Sequence, residues 1–175
     1  MSSDSTLESF YSQIYNLSHI QRYSTVPRVL SESVAEHSFF VACIVIRLHK
    51  DYDFDLGSAV TMAVMHDWTE SWIDDITVPT KKLFPKIALA VQEAEAEIAE
   101  REFPAPVYRL WLEHKEHFTI ESKIVHYADI IQCMQYANHE LKLSDNKYMK
   151  KVLDETKSRI TSAEEELYAY KRFQW

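Results

Sequence analysis

The sequence predicts an all-α protein, a single-domain helical bundle, and two observations predict it. The first is the near absence of glycine: 175 residues contain only Gly57, with five prolines. Sheets need glycine at hairpin turns and bulges, whereas helices need little of it. The second is apolar spacing, which places apolar residues three and four apart in stretch after stretch, the period of a helix. The length fits one domain. A chain of this size buries about two-thirds of its unfolded surface, enough for a sizeable core.

Residues 1–6 are a polar lead, expected to fray. Leu7, Phe10, Tyr11, Ile14 and Leu17 then mark a helix over 7–18. Residues 21–32, "QRYSTVPRVLSE", show no period and contain Pro27, so they read as a loop. A strong helix follows over 33–50. Ser33 can cap it and Glu36 completes a capping box. Its inward stripe is Val34, His37, Phe40, Val41, Ile44 and Leu48. After the connector "DYDFDLG", residues 58–67 are apolar except at their ends and predict a central, buried helix. Residues 69–82 read as a polar loop with a stop at Pro79. The stretch 83–102 is amphipathic, with the solvated acidic face "QEAEAEIAERE". Pro104 and Pro106 bracket the next turn, and Pro106 suits the first turn of a short helix over 107–114. A long helix covers 119–143, with Ile120, Ile124, Tyr127, Ile131, Met134 and Ala137 inward, and a final amphipathic helix covers 147–170. No repeat, low-complexity segment or linker interrupts this order.

The net charge of −8 argues against a general nucleic-acid surface, which needs clustered Lys and Arg. It leaves room for a small anionic substrate where local cations or a metal screen the acids. Cys43 and Cys133 both fall in apolar helical patterns and are expected to be buried free thiols, as in a reducing cytosol. There is no apolar leader and no run of about 18 apolar residues, so the expected location is cytoplasmic, without a membrane partner.

Polar residues on inward faces carry the functional reading. His37 lies on the stripe of the 33–50 helix, His66 and Asp67 end the buried helix, and Asp129 sits in "VHYADIIQCM". A buried carboxylate is costly unless it is paired or bound to a metal. Asp129 has no Lys or Arg three or four residues away to neutralise it. Two imidazoles and two carboxylates make a mixed nitrogen and oxygen site suited to Mn, Co, Fe, Ni or Zn. Adjacent residues on a helix point about 100° apart, so His66 and Asp67 can both ligate only at a helix end. Glu70, three residues on, returns to nearly the same face. The ordinary reading stands beside this one. With eight histidines, a chance His-Asp pair arises in about half of such sequences, so the dipeptide alone is weak. His19, His49, His114, His117, His126 and His139 read as core or surface residues.

The order His, His-Asp, Asp on helices resembles the HD-domain phosphohydrolase superfamily. "RY", "ESVAEHS", "MHDWTE", "DDITVPTKK" and "HYAD", in that order over about residues 18–140, are similar to a subgroup of it. That subgroup comprises 5′-deoxynucleotidases and small phage deoxynucleoside triphosphate hydrolases. The resemblance implies His37, His66, Asp67 and Asp129 as metal ligands. It implies Glu70 as the catalytic acid/base group and Asp75 as a second acid near the phosphate or a second ion, with Asp74 a surface neighbour. Arg22 and Tyr23 would meet the phosphate and stack on base or sugar, with Tyr standing where relatives often carry Trp. Lys81, beside Lys82 after Pro79, matches a basic residue of the subgroup. The implied cofactor is a divalent transition metal, Zn, Co or Mn, with Mg as a candidate second ion.

The expected reaction is hydrolysis at the α-phosphorus of a 2′-deoxynucleoside 5′-phosphate. A triphosphate carries about four charges and wants several cations, and Arg22 with Lys81 and Lys82 points that way, toward a dATP-preferring triphosphohydrolase. Arg28, Lys115 and Lys123 also lie on loops or helix ends near the motifs. A 5′-deoxynucleotidase acting on monophosphates is the alternative within the class. Outside it stand a non-catalytic nucleotide-binding module, a purely structural helical protein and a cyclic-nucleotide phosphodiesterase. The last lacks the extra His ligands of a tight two-metal cluster. The late aromatics Tyr168, Tyr170, Phe173 and Trp175 suggest a contact surface, and relatives assemble, so a homo-oligomer (dimer or hexamer) is expected. A phage-encoded chain would work in the host cytoplasm.

Overall fold

The structure is a computed structural model and describes residues 3–172. The elements are α1 (Ser3–Tyr15), a 3₁₀ turn (Asn16–Ser18), α2 (Val34–Leu48), α3 (Leu56–Met65), α4 (Glu70–Ile73) and α5 (Val78–Leu83), followed by α6 (Pro85–Glu102), α7 (Ala105–Glu116), α8 (Ile120–Leu143) and α9 (Lys147–Arg172). No strand forms among the described residues; the one extended pairing is an isolated bridge between Gln21 and Ser33. The all-α expectation holds. No described helix is long and apolar enough to cross a membrane.

Helices α2, α3 and α8 form the centre, with Val41, Val45, Met62, Met65, Ile124, Val125 and Ala128 fully or almost fully buried. Helix α7 covers α3 and adds Trp111 to the same core, and α9 lies along α8. The start of α2 is capped as expected. Ser33 Oγ accepts from the Glu36 N–H, while Glu36 Oε2 accepts from the Ser33 N–H at 2.8 Å. Asp55 caps α3 by accepting from the Gly57 and Ser58 N–H groups, so α3 starts two residues before the apolar run.

The loop over 21–32 is pinned by a buried carboxylate. Glu140 on α8, fully buried, accepts from the Val29 and Leu30 N–H groups at 2.9 and 2.5 Å. Tyr136 donates its hydroxyl to the Leu30 carbonyl at 2.8 Å.

The structure corrects several expectations. Helix α1 begins at Ser3, inside the lead expected to fray. Residues 69–82 hold two short helices where a loop was expected. Pro79 sits in the first turn of α5, where its missing N–H has no partner to lose and its fixed φ suits a helix start. Helix α7 runs past His114 to Glu116, and His117 closes it in the left-handed conformation (φ 51°). Phe40 is 49% exposed and Cys43 is exposed, although both were placed inward. Val34, His37, Val41 and Val45 define the true inward line of α2, and Phe40 and Cys43 lie on its flank. There they line an outer groove of about 620 Å³ between α2 and α8. Cys133 is buried as expected.

Candidate metal centre

Three chain-distant elements bring the ligand-type side chains together. His37 sits one turn into α2 and is fully buried. Helix α3 stops at Met65, so His66 is its C-terminal cap and Asp67 lies just beyond, the helix-end placement that lets neighbours face one point. Asp129 comes from the middle of α8. His37 Nε2 lies 3.3 Å from His66 Nε2 and 3.3 Å from Asp129 Oδ1. Asp67 Oδ2 lies 3.2 Å from His66 Nε2 and 3.7 Å from His37 Nε2. One ligand atom from each of His37, His66 and Asp129 falls within 4.8 Å of the others.

These residues fit a metal. His66 Nδ1 is 2.7 Å from the Ala63 carbonyl, which only accepts, so Nδ1 carries a proton and the neutral ring presents its lone pair on Nε2. That lone pair and its counterpart on His37 face each other among two carboxylates, an arrangement that a cation between them resolves. Two ligands about 2.0–2.1 Å from one tetrahedral ion stand about 3.3–3.4 Å apart, close to the separations seen.

Electrostatics point the same way. Burial pushes the Asp129 carboxyl up, but the His37 ring beside it, with Arg22 and His66, outweighs this and holds it well below the usual range. Asp67 is likewise lowered against burial by His66, His37 and Arg22. Burial raises the Glu70 carboxyl well above its ordinary value, and the charges of Asp67 and Asp75 add to this. One Glu70 oxygen, Oε2, is buried without a hydrogen-bond partner. Asp75 is raised for the same main reason, burial, with Asp67 contributing. Asp74 is exposed, as expected.

Arg22 reaches into the cluster. Its Nη1 is 3.8 Å from Asp67 Oδ2 and its Nη2 donates to Cys133 Sγ at 3.3 Å. Tyr23, at φ 55°, stacks on Tyr136 with centroids 4.9 Å apart and planes 1° from parallel. The other basic residues divide. Lys81 is half-buried and its charge acts on Glu70 and Asp75. Lys82 is exposed and lies 3.9 Å from Glu155 on α9, and Pro79 is exposed at the start of α5. Arg28 donates to the Tyr23 carbonyl and Lys115 to Glu95, so both are engaged within the protein.

Four residues at the cluster escaped sequence reasoning. Arg159 of α9 has Nη2 3.9 Å from Asp129 Oδ2. Glu32 and Gln132 form a chain of contacts to His37, and His114 sets its ring edge-on to His66 at 5.9 Å. A signal existed for Gln132, three residues after Asp129 on the same face, and for Glu32, inside "ESVAEHS". None existed for Arg159, one of many charges on an amphipathic helix.

Comparison with known proteins places the chain among relatives. The family described as 5′-deoxynucleotidase YfbR-like matches residues 9–173. A 5′-deoxynucleotidase of Pasteurella multocida is 29% identical over 152 residues, 79% of this chain and 77% of that one. A dATP triphosphohydrolase of Salmonella phage PMBT28 is 33% identical over 87 residues, 44% of each chain. Among solved structures, an HD-domain phosphohydrolase from Listeria innocua superposes with a TM-score of 0.76 at 23% identity, covering 91% of this chain and 82% of that one. With the fold of an HD domain and a family match over nearly its whole length, this chain belongs to the YfbR-like 5′-deoxynucleotidase family, a family of hydrolases.

Proposed function

We propose that the protein hydrolyses 2′-deoxynucleoside 5′-phosphates at the α-phosphorus, releasing the deoxynucleoside, with a divalent metal held by His37, His66, Asp67 and Asp129. The observation that carries this reading is the convergence of those four side chains beside a buried Glu70 carboxyl that lacks a full set of partners. The donor set of two imidazoles and two carboxylates suits Zn, Co or Mn. Such an ion supplies Lewis-acid polarisation of the phosphate and acidifies water.

The chain's own residues do the rest. Glu70 takes the proton of the attacking water, and the burial that raises its pKa makes it a stronger base for that proton. Asp75, also raised, stands by as a second acid for the departing O5′. Arg22 binds the phosphate beside Asp67; its guanidinium carbon also lies 5.7 Å from the centre of the Tyr23 ring, which stacks on Tyr136 and would meet sugar or base together with Arg22. Lys81 lies on the Glu70 and Asp75 side.

The triphosphate is supported by three cations from three elements, Arg22, Lys81 and Arg159, and by the phage relative. Monophosphates form a second reading, favoured because Arg28, Lys82 and Lys115 already lie against groups of the protein itself, and because the relative matched over three-quarters of the chain acts on them by name. The homo-oligomer rests on Tyr168, which is 64% exposed. The Tyr170 side chain, Phe173 and Trp175 lie outside the described residues.

Incubation with each dNTP and dNMP plus Mn²⁺, Co²⁺ or Zn²⁺, with products separated by chromatography, tests the assignment. Deoxynucleoside with intact triphosphate is the expected product pair. Turnover of dNMPs alone selects the second reading, and no turnover of either overturns both.

A further inference from the structure

The side of the His37 ring turned away from the cluster is held by a chain of buried polar groups. His37 Nδ1 is 2.7 Å from Gln132 Oε1, and Gln132 Nε2 is 2.5 Å from Glu32 Oε1. All three residues are buried. The direction of each hydrogen bond follows from chemistry. An ionised carboxylate only accepts, so the amide turns its NH₂ to Glu32 and its carbonyl oxygen to His37. That carbonyl also only accepts, so His37 carries its proton on Nδ1. Its Nε2 lone pair then faces His66, Asp67 and Asp129. The remaining Glu32 oxygen, Oε2, has no hydrogen-bond partner and lies 3.7 Å from Arg22 Nε. Burial leaves this carboxyl raised, while the Arg22 guanidinium and the hydrogen bond from Gln132 favour its ionised form.

We propose that Glu32 and Gln132 are positioning residues of the metal centre, a carboxylate–amide relay that locks His37 in the tautomer ligating through Nε2. The proposal rests on the metal reading above. Without the relay the neutral ring divides between tautomers, and the form with a proton on Nε2 cannot ligate from that atom. Groups that orient a ligating imidazole in this way are worth about 10–100-fold in metal affinity. The relay also makes α8 serve twice: Asp129 ligates, and one turn later Gln132 braces the ligand that α2 supplies.

The test is Co²⁺ binding to the metal-stripped protein, followed by visible absorption, with helix content checked by circular dichroism. Wild type binds one Co²⁺ per chain; failure here removes the metal reading and the relay with it. Gln132→Met is similar in size but cannot accept, and weakens binding about 10–100-fold at unchanged helix content. Glu32→Gln still accepts from the Gln132 amide through its carbonyl and stays close to wild type. Glu32→Met cannot orient the amide and falls with Gln132→Met. Where Gln132→Met loses helix content, the two Glu32 variants decide alone. Wild-type affinity in Gln132→Met and Glu32→Met overturns the relay while leaving the metal reading intact. A loss in Glu32→Gln as deep as in Glu32→Met also overturns it, because charge beside Arg22 would then be the cause.

Discussion

On the proposed reading, Glu70 is the residue on which the chemistry turns. Its carboxyl is buried near two other acids and is not one of the four proposed ligands, so Glu70→Gln should retain metal and lower kcat about 10²–10⁴-fold. Single-turnover kinetics with metal content measured in parallel checks both halves. The same residue predicts a pH dependence of stability. Its pKa is higher folded than unfolded, so the folded state binds the extra proton. Stability is therefore lost as pH rises from the ordinary Glu range toward the raised value. In metal-stripped protein, the Tm advantage of Glu70→Gln over wild type should widen from acid to neutral pH; a constant or narrowing gap would contradict the shift. At this scale the sequence was informative where polarity broke an apolar pattern, as at His37, His66 and Asp129. It was silent where the partner arrived from a distant helix. Arg159 approaches Asp129 only because α9 lies along α8, and no local spacing encodes that.

The helices and loops place these residues, and their ends matter more than their middles. Helix α3 ends one residue before His66, which frees both His66 and Asp67 to face the cluster. The expected helix ran through Asp67, since an apolar run shows its periodicity but not its last turn. Helices α4 and α5, of 4 and 6 residues, were read as loop because neither completes enough turns to show a period. The capping box at Ser33 was legible because it is a local pattern of residue types. The loop bearing Arg22 and Tyr23 depends instead on Glu140, over a hundred residues away in sequence. Glu140→Ala removes the carboxylate acceptor of two backbone N–H groups, at a cost of about 1.5–3 kcal/mol. The expected result is a higher KM with metal content preserved, together with faster proteolysis in residues 21–32. An unchanged KM would show that the loop keeps its place without this carboxylate.

For the whole molecule, the metal would join α2, α3 and α8 at their crossing. An ion that binds only the folded chain stabilises it by about 2.7 kcal/mol at a hundredfold excess over Kd. Stripping with a chelator should lower Tm, and restoring Zn²⁺, Co²⁺ or Mn²⁺ should raise it with concentration. A Tm indifferent to metal would leave the cluster a buried polar network. The all-α class was legible from one glycine and a repeated period, because both are properties of the chain summed over its length. The flanks were less so: Phe40 and Cys43 share the helix with the inward line, and only the positions of α3 and α8 decide which side is inside.

The stacked rings of Tyr23 and Tyr136 carry one more consequence. Two phenols held 4.9 Å apart and parallel to within 1° couple their electronic transitions. Near-ultraviolet circular dichroism would thus register, without any added label, whether the segment behind Arg22 is seated or has lifted. A Tyr136→Leu difference spectrum would isolate that signature, and its change on adding nucleotide would time the seating directly.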